Sequence, residues 1–183
     1  MQCPLCPPTP LQRIPLEANL PAHTCSGCGG IFLVSSDYFQ WREQHKAQRS
    51  THLESVPSIV VTDVPKAKQC LFCRHIMLRY QVGHDVNIIL DHCDNCNSVW
   101  FDHHKWDVLR NHNLHSDIHR IFTEAWQRRV RDADHRAMME AIYREKFGSD
   151  DYTEVQRVKA WLDAHPQREA LRAYLNAENP YRR

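Results

Sequence analysis

Short alternations of apolar and polar residues mark the first half of this chain, and three- and four-residue apolar spacings mark the second. Leu11, Arg13, Ile14 and Leu16 form one weakly alternating segment, and Met77, Leu78, Tyr80 and Val82 form another. Each is followed by a compact apolar run, Ile31-Phe32-Leu33 in one case and Val99-Trp100-Phe101 in the other. Period-two patterning over such lengths predicts strands. Both runs lead into a predicted amphipathic helix. Ser36 or Asp37 is placed to cap the first, ahead of Tyr38, Phe39 and Trp41. Asp102 is placed to cap the second, ahead of Trp106 and Leu109.

From about His115 the pattern is wholly helical. Ile118, Ile121, Phe122, Trp126, Val130, Met138 and Ile142 fall on three- and four-residue steps. No Pro or Gly intervenes before Gly148, which is placed to end the helix. Ser149 or Asp150 starts a further helix with Val155, Val158, Trp161 and Leu162, and His165-Pro166 breaks it. Leu171, Tyr174 and Leu175 belong to a last helix, before a tail at Pro180–Arg183. Most of the large aromatics in this half, among them Trp106, Trp126, Trp161, Tyr143, Tyr152 and Tyr174, are expected to be core.

The strand pattern occurs twice because the first half is an internal repeat with a shift of 67 to 68 residues. Its markers are the eight cysteines, which fall into two sets of paired Cys-x-x-Cys turns. Cys3, Cys6, Cys25 and Cys28 form one set, and Cys70, Cys73, Cys93 and Cys96 form the other. A Cys-x-x-Cys turn offers two thiolates at the bite that tetrahedral zinc requires, and two such turns close a four-sulfur site. Four protein ligands leave no position for a reacting water, so such a site is structural. Redox-active disulfides and an iron–sulfur cluster are the alternatives for four thiols. The hairpin-spaced pairs favour Zn²⁺, two ions per chain. A ribbon this small buries too little apolar surface to fold alone. Metal binding then supplies folding energy, on the order of 10–16 kcal/mol per site.

The expected fold class is therefore α+β, small and metal-bound. Its parts are two tandem zinc ribbons, each a short antiparallel hairpin followed by a helix, and an α-helical C-terminal domain. The expected divisions are a first ribbon with its helix over 1–50, a linker over 51–68, a second ribbon with its helix over 69–112, and a helical domain over 113–183. Within the linker, Ser58-Ile59-Val60-Val61 lies between Pro57 and Pro65 and reads as a semi-rigid spacer or an edge strand.

Cys3-Pro4-Leu5-Cys6, followed by Cys25-Ser26-Gly27-Cys28-Gly29-Gly30-Ile31-Phe32-Leu33, resembles the transcription factor IIB-type zinc-ribbon family. Cys93-Asp94-Asn95-Cys96-Asn97-Ser98-Val99-Trp100-Phe101-Asp102 resembles the same stretch of that family, more closely at its Trp and Asp. The resemblance covers residues 1–42 and 70–110. Members usually carry Gly directly after the first turn, where Pro7 and Arg74 stand here. Gly29 and Asn97 suit the left-handed conformation after the second turns. The resemblance implies a docking module, since relatives in archaea and eukaryotes bind RNA polymerase through the ribbon.

Charge narrows the partner classes. Residues 1–104 carry 8 Lys/Arg against 9 Asp/Glu, and 105–183 carry 15 against 13. With eight thiolates and two Zn²⁺, the first half sits near about −5, which is not the basic field that phosphate binding needs. Arg128, Arg129, Arg131 and Arg136, next to Trp126, are the candidate nucleic-acid contact, with Asp132 and Asp134 interleaved. His112, His115 and His119 lie at helical spacing near His103 and His104, a candidate for a further metal site against the plainer reading of a polar helix face. His23, His75 and His92 flank the cysteines and are expected to support them rather than replace them.

No apolar run approaches membrane-spanning length, and the first residues show neither the basic region nor the apolar stretch of a signal peptide. A cytoplasmic location without membrane attachment is the expectation. No phosphate-binding loop, nucleophile motif or acidic pair is visible, so the expectation is a non-enzymatic adaptor. It would dock on a large protein or ribonucleoprotein assembly, RNA polymerase first and the ribosome second. The alternative is a redox- or zinc-responsive regulator.

Overall fold

A computed structural model describes residues 1–45, 61, 63–83 and 86–181. The Ser58–Val61 segment lies outside these residues except for Val61. The fold is mixed α and β, with antiparallel strands and six helices among the described residues. The first repeat gives β1 (Leu11–Glu17), β2 (Leu20–Cys25), β3 (Ile31–Leu33) and α1 (Ser35–Gln44). The second gives β4 (Leu78–Gly83), β5 (Val86–His92), β6 (Val99–Phe101) and α2 (Lys105–Asn111). A 3₁₀ turn at His115–Asp117 leads to α3 (Ile118–Ile121) and then to α4 (Glu124–Phe147), α5 (Ser149–Ala164) and α6 (Arg168–Asn176).

The two ribbons form one sheet, in the order β1-β2-β3-β6-β5-β4. The joint is the antiparallel pair β3·β6, with Ile31 opposite Phe101, Phe32 opposite Trp100 and Leu33 opposite Val99. A shift of 68 carries Phe32 onto Trp100, so the repeats meet about a local two-fold axis at that pair. Strand alternation then sorts the six side chains. Phe32 and Trp100, both fully buried, join the cysteines and Met77. Leu33, Val99 and Phe101 join the helices in the larger core, and Ile31 packs against it. One face of the sheet is thus closed by the cysteine sets and the other by helices.

Residues 1–131 form one compact unit and 132–183 a second. In the first unit, Trp106, Leu109, Ile118, Ile121, Trp126 and Val130 complete the core. Polar bonds cross between the repeats and hold the helices in place. Trp106 Nε1 donates to Glu17 at 3.1 Å, and Tyr38 Oη donates to the Ser116 carbonyl at 2.7 Å. Trp126 Nε1 and Gln127 Nε2 donate to the Val82 and Gln81 carbonyls, each at 2.8 Å. In the second unit Tyr152 is the one buried residue among those described. Tyr143 stacks on it at 6.4 Å, and the Arg144 guanidinium lies 5.0 Å from its ring. Trp161, Tyr143 and Tyr174 are exposed, so half of the six large aromatics are core and half are not.

Three local expectations are corrected. Helix α1 follows β3 directly through extended Val34 and has no side-chain cap, so Ser36 and Asp37 lie inside it. Helix α2 starts behind His104, which has φ 64°, and Asp102 does not cap it. Its carboxylate is taken up by buried lysines instead. The helical pattern from His115 is also broken at Phe122-Thr123. The Thr123 hydroxyl donates to the Arg120 carbonyl at 2.7 Å, and its oxygen accepts the Trp126 N–H at 3.3 Å. Thr123 caps α4 and ends the preceding turn.

Gly30 stands against the sheet joint. A Cβ added there would overlap the Trp100 ring. Gly30→Ala is expected to cost about 1–3 kcal/mol through overpacking, read as a lower urea midpoint at unchanged slope. The repeat-matched residue is Ser98, whose partner position holds the smaller Phe32, so Trp100→Phe in the same chain should recover part of the loss. Because Trp100→Phe also removes the indole bond to Asp102, the reference is Trp100→Phe alone, and an equal cost of Gly30→Ala in both backgrounds would show that the ring is not the obstacle.

Candidate metal centres

Each site is built from two knuckles, which are short turns whose backbone is closed on itself. In three of them the first cysteine accepts, through its carbonyl, the N–H of the residue after the second cysteine. These are Arg74 to Cys70 at 2.9 Å, Gly29 to Cys25 at 2.9 Å and Asn97 to Cys93 at 2.7 Å. All three donors lie in the left-handed region, at φ 67°, 67° and 57°. Gly29 and Asn97 suit that conformation, whereas Arg74 occupies it without a glycine's freedom.

The first knuckle cannot follow this pattern, because Pro7 has no N–H and its ring fixes a negative φ. The turn is one residue longer. Thr9 N–H reaches the Cys6 carbonyl and Cys3 N–H reaches the Thr9 carbonyl, both at 2.8 Å. In the other three turns the first cysteine's N–H bonds five residues ahead, to His75, Gly30 and Ser98. Proline at position 7 thus changes the turn but not the site it supports.

The structure brings together Cys3, Cys6, Cys25 and Cys28 in one group and Cys70, Cys73, Cys93 and Cys96 in the other. Within each group all sulfurs lie within 4.8 Å of one another. Cys3 to Cys28 is 3.6 Å, Cys70 to Cys96 is 3.4 Å and Cys73 to Cys93 is 3.3 Å. A tetrahedron with Zn–S near 2.3 Å has edges of about 3.8 Å, so the donor sets fit one zinc ion each. Backbone N–H groups point at the sulfurs: Leu5 and Cys6 approach Cys3 at 3.4 and 3.3 Å, and Gly27 approaches Cys25 at 3.4 Å. Such donors stabilise thiolate. Burial above all, with the Cys96 and Cys73 thiols acting in the same direction, pushes the Cys70 thiol up to about 12 against the backbone bonds that lower it. Cys73, held first by the His75 backbone, falls to about 5. Zinc must therefore displace protons to bind.

The histidines sort differently from the cysteines. Among the described residues, no group of three or more His, Cys, Asp or Glu suited to a metal exists beyond these two sets. His112, His115 and His119 thus form no third site; His119 Nδ1 bonds to Tyr38 Oη at 3.1 Å, and His115 is half-buried with Nδ1 unpaired. His92 donates through Nδ1 to Asp94 at 2.7 Å, beside its neighbour Cys93. His75 bonds to the Cys73 carbonyl at 3.1 Å, and His23 is partly buried beside the first set.

The four arginines lie exposed on α4. Arg128 pairs with Glu124 at 2.9 Å, and Arg129 lies 5.4 Å from the Trp126 ring centre. At about 100° per residue the four span one side of the helix, but Asp132 sits in the middle of that arc. Their charge is diluted where a phosphate backbone would have to track.

Sequence reasoning missed a buried ionic cluster beside the second site. Lys68, Asp91, Asp102 and Lys105 are all buried. Lys68 Nζ donates to Asp91 at 2.8 Å and to the Val64 carbonyl at 3.0 Å. Lys105 Nζ donates to Asp102 at 2.8 Å, to Asp63 at 2.6 Å and to the Ile89 carbonyl. Trp100 Nε1 and Val64 N–H complete the Asp102 carboxylate, at 2.9 and 3.3 Å. The segment 63–68 is thereby fastened to β5, β6 and α2. Periodicity gives no signal for it, because lysines are rarely buried and nothing local marks Lys68 or Lys105 as exceptions.

No described helix is long and apolar enough to cross a membrane. No curated protein and no solved structure matches the chain. Zinc ribbons of this type are typically non-catalytic. Residues 2–44 match the family described as "Transcription factor zinc-finger", the zinc ribbon of the transcription factor IIB type, and the Cys₄ group over 70–96 is consistent with a second such ribbon in tandem.

Proposed function

We propose that the chain is a non-enzymatic adaptor whose zinc-stiffened double ribbon docks on a large protein or ribonucleoprotein assembly. RNA polymerase is the first partner to test and the ribosome the second, with a cytoplasmic location. The observation that carries the reading is apolar surface on the knuckle of the second ribbon. Phe72, between the two cysteines of the turn, is 63% exposed, and Ile76, three residues past Cys73, is 66% exposed. Leu78 follows at 48%. Large apolar side chains held outward by a rigid, metal-closed turn stabilise nothing inside the unit, and such surface favours a partner. The charge of the ribbon half, near about −5 with zinc, opposes direct contact with phosphate and favours protein.

Affinity capture of the tagged chain from its own cells, with and without nuclease, tests this. The intact chain should recover one assembly in nuclease-resistant form. Phe72→Ser with Ile76→Ser should reduce that recovery at least about tenfold while the chain keeps its zinc, since two anchors of about 1–2 kcal/mol each are removed. Recovery lost on nuclease treatment would move the contact to Arg128–Arg136. Unchanged recovery with the double variant would remove the knuckle as the docking surface.

A further inference from the structure

A cleft of about 380 Å³ opens in the first unit between β3, α1, the second ribbon and α3. Its walls are aromatic. Tyr38 and Phe39 come from the first repeat, Tyr80 from β4, and Phe122 from the end of α3. His92 and His119 also line it. Phe122 stacks on His92 with centroids 4.0 Å apart and planes 14° apart, and Tyr80 meets both edge-on at 5.4–5.6 Å. Across the cleft, Phe39 meets the edge of His119 at 5.9 Å. Among the described residues, setting the two histidines aside, Asp94 is the only charged one in the lining, and no Lys or Arg lines it.

Hydrogen bonding fixes what the imidazoles offer. The Asp94 carboxylate accepts only, so His92 must carry its proton on Nδ1, 2.7 Å away. Tyr80 Oη also donates to Asp94, at 2.9 Å. Tyr38 Oη gives its single proton to the Ser116 carbonyl, so His119 must donate through Nδ1 to Tyr38. The neutral His119 ring then offers Nε2 as an acceptor. Burial holds His119 below the ordinary histidine range, with Arg42 acting in the same direction. Arg42 and Arg120 act on it from outside the cleft, and Asp117 offsets them. Among the described residues the lining thus presents the His119 acceptor, one carboxylate and four aromatic rings, with no Lys or Arg. Its histidines belong to no group suited to a metal, so it is not a third zinc site.

We propose that this cleft binds a guanidinium group, the arginine side chain of a protein partner. A planar guanidinium stacks on aromatic rings and carries five N–H donors in a rigid fork. It can therefore satisfy the carboxylate and the His119 acceptor while facing the rings, whereas an ammonium is a compact and strongly hydrated point charge. The source of the arginine rests on the docking reading; the chemistry of the cleft does not.

The test is NMR titration of the full-length, zinc-loaded chain with N-acetyl-arginine amide. N-acetyl-citrulline amide, which has the same shape without the charge, is titrated in parallel. The arginine probe should shift the His92 and His119 ring signals saturably, and citrulline should bind at least about tenfold more weakly. Phe39→Ala, at the exposed rim, should weaken arginine binding about fivefold with zinc content and circular dichroism unchanged. Asp94→Asn should erase the preference for arginine over citrulline. A Gly-Arg-Gly peptide should bind more tightly than guanidinium chloride; equal binding would assign the cleft to a free small cation and overturn the partner side chain. Equal binding of citrulline, or no shift up to about 50 mM probe, would overturn the proposal. Loss of partner capture in the knuckle double variant, with arginine binding intact, would keep the two readings apart.

Discussion

Removing zinc with a strong chelator is expected to unfold residues 1–131 in one cooperative step rather than ribbon by ribbon. The reason is the joint between the repeats. Phe32 and Trp100 pair across β3·β6, and both are buried against the two cysteine sets. Losing either ion opens the face beneath that pair, and the strands it frees belong to the same sheet as the other site. Each ion contributes on the order of 10–16 kcal/mol, comparable to the whole net stability of a single domain, about 5–15 kcal/mol. Cys25→Ser should therefore lower zinc content from two per chain toward zero, not to one. The near-ultraviolet signal of Trp100 should be lost with it. A variant that keeps one zinc and half of its sheet signal would show that the ribbons fold independently. Acid should act in the same direction as chelator. The thiols that burial raises, Cys3, Cys28, Cys70 and Cys93, take protons back first, so zinc affinity falls as pH falls.

Much of this molecule could be read from its sequence where the constraint is local. The Cys-x-x-Cys spacing identified both sulfur groups because a knuckle is a short-range object. Gly29 and Asn97 could be read for the same reason, as residues that tolerate the left-handed turn in which they are found. The pairing of Ile31–Leu33 with Val99–Phe101 could not. Strand pairing across nearly seventy residues leaves no periodic trace, and a three-residue strand is too short to show which face it buries. The burial of Lys68 and Lys105 left no trace in the sequence for a related reason. Charged residues are rarely buried, and only a three-dimensional arrangement that supplies Asp91, Asp102 and Asp63 together makes burial tolerable. Asp102 shows the conflict directly, since it stands where a helix cap belongs and serves the lysines instead. The helices beyond Asp132 could be read as helices but not as surface, because the apolar spacing is the same whether or not anything covers it.

Asp102→Ala is expected to destabilise the first unit by about 3–5 kcal/mol, the usual cost of breaking a buried ionic cluster by removing one of its members. Lys68 and Lys105 have fully buried side chains, and Asp102 lies 3.5 Å from one ammonium and 2.8 Å from the other. It also accepts from Trp100 Nε1, so its removal leaves a buried indole N–H unpaired at the sheet joint. Lys68 keeps Asp91 and Lys105 keeps Asp63 after this change, so the penalty belongs to the ammonium and indole protons left short of an acceptor rather than to the worth of the pair, and this can be separated. Asp102→Leu with Lys105→Met should recover most of the loss, because replacing a buried pair by apolar residues of similar size is often neutral or stabilising. The pH dependence has a definite sign. Burial raises the Asp102 carboxyl, but bonds from Lys105 and Trp100 and the Lys68 charge outweigh it and leave the group below its ordinary range. Its contribution is therefore fully present above the unfolded carboxylate value, near about 4, and is lost as pH falls through the depressed folded value. Urea midpoints of the intact chain should fall in that acid window by more than those of the apolar double variant. Matching acid profiles in the two proteins would show that the ionic cluster holds the 63–68 segment in register without contributing net stability.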